Sequence, residues 1–247
     1  MNKVRNNVVS NFTPLDPASH QNIRVITDRG ADYGENIHLV PVVADELRQL
    51  VLEYPVCLLK DPNTGQFGMH ALLGFEPGNN LFLQAERWQA NYIPLHIRRQ
   101  PFMVAVNGPT GTAATPENTV VTIDMNHPRV TQTGGESLFS EHGEPSEYTR
   151  QISSLLAGLI PAVIRTERFV EALVQHQLIE AIQFTVNLAD GSKQSFGGLY
   201  TINEEALAQL SEQQVMDFHQ QGYFQACHLL LASIGNIQKL VILQSQR

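Results

Sequence analysis

The sequence predicts an α+β fold, with an antiparallel meander and helices in the first half and a helix-rich second half carrying a β-hairpin. Three observations predict it. Short apolar runs punctuated by Pro, Gly and Asn fill residues 37–124. Helical apolar spacing dominates from residue 148 onward. An Asp190-Gly191 turn joins two alternating runs, 179–188 and 193–202. No repeat or long linker divides the 247 residues. One domain is expected over 1–247, with a sheet-rich part over 37–147 and a helix-rich part over 148–247.

The elements follow in order. Residues 1–36 are polar, with Asn, Pro, Asp and Gly throughout. They read as an extended arm holding one short strand at 22–26. Residues 38–43 form a strand whose Pro41, lacking an N–H, places it at a sheet edge. Leu47, Leu50 and Val51 recur at helical spacing in a helix over 45–54, which Pro55 ends. A buried strand at 56–60 leads into a turn at Asp61, Pro62 and Gly65. Residues 67–75 return, and 81–84 add a third strand. Residues 96–106 read as one long extended segment interrupted by Pro101, so Arg98 and Arg99 would point to opposite faces.

Residues 107–118 form a polar loop and 119–124 a strand. The irregular stretch 126–147 has Leu138 and Phe139 as its apolar anchor. Pro161 separates two helices, 148–159 and 162–177. In the second, Val163, Thr166, Phe169, Val170, Leu173 and Val174 make the apolar face. Asn203 and Ser211 are N-caps, the latter in a capping box with Gln214. Gly222 precedes an apolar helix over 223–234, and 236–243 suits helix or strand equally.

Composition narrows the function. With 43% hydrophobic and 16% charged residues, the chain has the makings of a core. A net charge of −8 argues against nucleic acid, whose phosphates need concentrated Lys and Arg. The N-terminus has no apolar secretory region and the run 155–164 is too short to span a membrane, so a soluble, cytoplasmic protein is expected. The two cysteines, Cys57 and Cys227, sit in apolar runs and read as buried free thiols.

Motifs for chemistry are missing. Residues 108–112 resemble a Gly-rich loop without the Gly-Lys-Ser/Thr ending, and no nucleophile elbow occurs. The nine histidines are dispersed, with no paired metal-ligand spacing, so neither cofactor nor metal is expected. What stands out is the stretch 79–102, with the single Trp88, then Tyr92, Arg98 and Arg99. Trp, Tyr and Arg are the types enriched at binding hot spots. Asn80, Trp88, Tyr92, Arg98 and Arg99 are therefore the candidate ligand- or partner-binding residues. The competing reading makes the aromatics core residues.

A resemblance spans nearly the whole chain and is most specific in this same stretch. Phe12-Thr-Pro-Leu15, Glu53-Tyr-Pro-Val56, Leu72-Leu-Gly-Phe75, Asn80-Leu-Phe82, Tyr92-Ile-Pro94 and Arg98-Arg-Gln-Pro-Phe102 stand in the order of the SapC family of bacterial proteins. Gly143-Glu-Pro145, Ile202-Asn-Glu204 and His228-Leu229 continue the order. Gln100 departs from the Tyr often found there, Asn203 stands where Asp is usual, and the loop 108–118 is longer. The resemblance implies an accessory protein handling a peptide or an indole-containing molecule, beside halogenase-like proteins and TonB-dependent receptors. It implies a peptide or protein partner and not the membrane permease that shares the name. Two alternatives stand beside it: an enzyme using His70, His96, Arg98 and Glu53, and a surface-layer component.

Overall fold

The computed structural model describes residues 9–84, 86–109, 112, 115, 118–187 and 193–246. In chain order it begins with β1 (Phe12–Pro14), α1 (Pro17–His20), β2 (Arg24–Val25), β3 (Leu39–Pro41), α2 (Leu47–Leu50), β4 (Val56–Lys60) and β5 (Phe67–Leu72). Next come β6 (Leu83–Gln84), β7 (Arg87–Trp88), α3 (Leu95–Arg98), β8 (Phe102–Val106), β9 (Thr119–Asp124), β10 (Val130–Thr131) and β11 (Glu136–Ser137). The long α4 (Glu147–Gln175), the hairpin strands β12 (Ile179–Asn187) and β13 (Lys193–Ile202), and α5 (Glu204–Ala208), α6 (Glu212–Gln220), α7 (Tyr223–Ser233) and α8 (Ile237–Ser245) complete the chain. Every pairing among the described strands is antiparallel, and the helices gather late in the chain, so the fold is α+β. The Asp190-Gly191 turn and most of the loop 110–117 lie outside the described residues.

The chain gathers into two compact units, each made of two segments. Unit 1 is Met1–Gly34 with Arg98–Ile160. Its sheets have the orders β1-β9-β8 and β10-β2-β11. The extended arm expected at the N-terminus is therefore corrected over its described part. Phe12–Pro14 pairs with residues 122–124, and Val25 is fully buried. The polar residues pair locally: Asp16 Oδ1 accepts from the Ala18 and Ser19 N–H groups, and His20 is buried with Nδ1 3.0 Å from the Asp16 carbonyl oxygen. Arg129 is buried, donates to the Ile26 and Asp28 carbonyls at 2.7 and 2.6 Å, and lies over the Tyr33 ring. Leu138 and Phe139 are buried, as an anchor should be.

Unit 2 is Glu35–Ile97 with Pro161–Arg247. Its five-stranded sheet has the order β12-β13-β4-β5-β3, with Pro41 on the edge strand as the missing N–H requires. The expected third meander strand does not join this sheet. Residues 83–84 pair with 87–88 in a separate ribbon, and Glu86 takes a φ of +62° between them. Gly74 lets the chain turn tightly, since a Cβ there would lie 1.9 Å from the Asn79 carbonyl oxygen.

Two expectations about proline are corrected. Pro161 does not divide two helices: α4 runs unbroken through it. Pro161 and Ala157 are both exposed, so the Ala157 carbonyl that loses its helical partner faces water. Residues 96–106 are not one strand. α3 ends at Arg98, the Gln100–Pro101 peptide is cis, and β8 begins at Phe102. Arg98 and Arg99 thus lie at a helix end and a turn, and the opposite-faces argument does not apply.

The caps are where the side chains demand them. Asn203 Oδ1 accepts from Ala206 N–H, and Ser211 with Gln214 forms the capping box. The tail 237–245 is helical. Tyr223–Ser245 is long and apolar enough to cross a membrane by length and composition alone. Yet Cys227, Leu230, Ser233 and Leu240 on one face are buried, and Ser233 Oγ accepts from Val56 N–H at 2.9 Å. That face is a layer of the unit 2 core.

Candidate functional site

The box residues of unit 2, Asn80 buried and Trp88 and Tyr92 half-buried, lie in a hydrogen-bonded lock. Glu46 is 2% exposed and sits just before α2. Its Oε1 accepts from the Tyr92 hydroxyl at 2.9 Å and the Leu95 N–H at 2.8 Å, and its Oε2 from Val43 N–H at 3.0 Å. One carboxylate thereby ties the segment 92–95 to the turn before α2. Tyr54 stands next to it: Trp88 Nε1 donates to the Tyr54 hydroxyl at 2.7 Å, and that hydroxyl donates to the Tyr92 carbonyl. Burial pushes the Tyr54 hydroxyl pKa up, although the bond from Trp88 works against it.

Glu53 adds a second tie, accepting from Asn91 N–H at 2.7 Å and from Lys239 Nζ at 3.0 Å. Burial alone raises its pKa. The Lys239 bond, the Asn91 N–H and the Lys239 charge outweigh that and hold the carboxyl below its ordinary value. Asn80 is 1% exposed and closes a loop: its Nδ2 donates to the Glu35 carbonyl and its Oδ1 accepts from Phe82 N–H. The Asn80 side chain is thus joined to the backbone around it, that of Trp88 to the Tyr54 hydroxyl and that of Tyr92 to the Glu46 carboxylate. Arg98 and Arg99 belong to unit 1. Arg98 is exposed, whereas Arg99 is half-buried, donates to the Phe102 carbonyl at 2.7 Å, and has its pKa lowered by burial.

A second region of unit 2 has the opposite character. Three adjoining clefts of about 690, 580 and 290 Å³ are all lined by Gln66 and Phe67. They make a trough beside the β4–β5 hairpin, with Val170 and Val174 of α4 on the other wall of the largest cleft. Phe67 packs edge-on against Tyr200 at 5.0 Å, and Lys60 Nζ lies 5.6 Å from the Phe67 ring centre. The hairpin turn is stiff: Asp61 Oδ1 accepts from Asn63 and Thr64 N–H, bonds that lower the Asp61 pKa, and Gly65 takes a φ of +73°.

Glu167 and Glu171, one helical turn apart, line the trough and are exposed. Among the described residues neither side chain makes a hydrogen bond or ion pair. Val174, expected in the buried face of the helix, is instead 50% exposed. Phe67, Lys60, Glu167 and Glu171, which line the largest cleft, are not among the candidate residues that the sequence singles out. The sequence signal available was Glu167, Glu171 and Val174 at helical spacing on one side of α4.

Of the residues proposed for an enzyme, His70 and His96 line one cleft together. Burial lowers the His70 pKa, and its Nδ1, 3.1 Å from the Gly68 carbonyl oxygen, opposes that. Glu53 is in the lock and Arg98 in the other unit. Among the described residues no three His, Cys, Asp or Glu side chains gather to hold a metal. Cys57 and Cys227 are buried free thiols; burial raises both pKa values, that of Cys227 to about 12.

Residues 15–240 match the model of the SapC family. The chain belongs to the SapC family. The match covers both units and includes the lock, the trough and the Arg98–Phe102 stretch. No curated protein and no solved structure matches the chain significantly.

Proposed function

We propose that this SapC chain is a non-catalytic accessory protein that binds a peptide segment in the trough around Phe67. One observation carries the reading: a part-exposed apolar wall, half-buried Phe67 with exposed Val174, lies beside Lys60 and beside Glu167 and Glu171, whose side chains make no hydrogen bond or ion pair among the described residues. Apolar walls with a few convergent charges are what ligand clefts are made of. Two carboxylates one turn apart on α4 favour a Lys or Arg in the ligand, and the aromatic floor favours an apolar or aromatic side chain next to it. In this reading Asn80, Trp88 and Tyr92 hold the surrounding loops, and the binding surface is the trough.

The test is an array of short immobilised peptides pairing an aromatic residue with either Lys/Arg or Asp/Glu. Wild-type protein should prefer the basic set. Val174→Asp and Glu171→Lys, both at exposed positions, should lose about tenfold in retention with unchanged thermal unfolding. Equal retention on the two sets, or by wild type and both variants, overturns the reading.

A further inference from the structure

We propose that a separate cleft of unit 2 binds a carboxylate carried on an apolar or aromatic body. The cleft, about 250 Å³, is walled by the turn before α2, by α4 and by the start of α7. Its floor is apolar: Phe169 is 1% exposed, packs on Tyr223 at 5.4 Å between ring centres, and is joined by Leu229. Over this floor stand two arginines, Arg48 and Arg165, with one carboxylate, Asp45.

The charges do not cancel. Arg165 pairs with Asp45, donating from Nη2 at 2.5 Å and from Nε at 3.2 Å. Arg48 donates only once among the described residues, to Gln225 Oε1 at 2.9 Å. The lining thus carries one more positive charge than negative, in a chain whose net charge is −8. α7 also opens on this cleft at Gly222 with no side-chain cap and no acidic residue in its first turn, which adds to the positive potential.

This arrangement selects a ligand class. A single net positive charge suits a monoanion, and a guanidinium fork suits the two oxygens of a carboxylate. The apolar floor suits a ring or branched chain beside it. The volume is at the small end for ligand clefts, so the body is one side chain in size rather than a cofactor. Two sources share this chemistry, a free aromatic acid and the C-terminal residue of a peptide. Asp45 competes with the ligand for Arg165, so its removal should strengthen binding.

The experiment titrates the full chain, by ligand-observed NMR, with 3-phenylpropionate, 3-phenylpropanamide, and N-acetyl-Gly-Phe with a free or an amidated C-terminus. Each acid should bind at least about tenfold more tightly than its amide. Arg48→Gln should weaken both acids about tenfold, with Arg48→Lys recovering part of the loss. Asp45→Asn should tighten them about threefold, a gain that a purely structural ion pair would not produce. Tighter binding of the peptide identifies a chain terminus as the source; tighter binding of the small acid identifies a free metabolite. Equal binding of acid and amide, no saturation by either acid below about 10 mM, or no change in Arg48→Gln overturns the proposal. Val174→Asp, which tests the trough, should leave this binding unchanged, so the two sites fail separately.

Discussion

The Glu46–Trp88 lock and the Phe67 trough are built from the same residue types, in the same unit. Both have aromatic rings, carboxylates and a lysine. In the lock the carboxylate of Glu46 is buried and accepts three bonds, and Trp88 and Tyr92 spend their donors on Tyr54 and Glu46. In the trough Glu167 and Glu171 face water and Val174 is exposed. A buried carboxylate must be bonded because leaving it bare costs several kcal/mol. An exposed one is free to be used by something else. Residue type alone therefore does not mark a binding surface, and burial with bonding decides which group has a structural task.

The sharpest way to break this contrast is Glu46→Ala. It removes one carboxylate and leaves Val43 N–H, Leu95 N–H and the Tyr92 hydroxyl without it. Stability should fall by at least about 3 kcal/mol in urea unfolding, with the m-value unchanged. A loss under about 1 kcal/mol would mean that water reaches these groups and that the lock is no lock.

Acid should act on the second tie. The Glu53 pKa is held below its ordinary value of 4.5, so its contribution is present above that value and is lost as pH falls through the lowered one. Wild-type stability should decline below pH 4.5 more steeply than that of Lys239→Met, which removes the bond and the charge. Identical acid limbs for the two proteins would contradict the assignment.

Trp88→Phe removes the Nε1 donor to Tyr54 together with the five-membered ring of a half-buried indole, so about 1 to 2 kcal/mol should be lost. Val174→Asp closes the series. At 50% exposure it should shift stability by no more than about 0.5 kcal/mol while impairing trough binding. If Val174→Asp cost as much as Trp88→Phe, the trough would be core and the comparison would collapse.

Local signals in the sequence carried far where the cause is local. The strand at 56–60, the stiff turn after it, the strand 119–124, the return strand 193–202, Pro41 on a sheet edge and the caps at Asn203 and Ser211 follow from neighbouring residues alone. Elements whose cause is distant differ from what local pattern predicts. α3 forms where a long strand was expected, and its first N–H, on Leu95, is satisfied by Glu46, 49 residues earlier in the chain. Pro161 predicts a helix break, yet α4 continues through it at a position where Ala157 and Pro161 are both exposed. The polar N-terminal segment packs because β1 finds β9, 113 residues away at the Asn11–Asp124 contact.

The sequence by itself determined the family and the α+β class, because these depend on the identity and order of residues. Tertiary structure alone decided that unit 1 and unit 2 are each assembled from two separate segments. It also decided that Trp88 and Tyr92 spend their donors inside the fold, while Arg48, Glu167 and Glu171 stand at cleft walls with charge to offer. The physical reason is the same in each case: burial and hydrogen-bond partners are supplied by segments far apart in the chain, and no local pattern records which of them will meet.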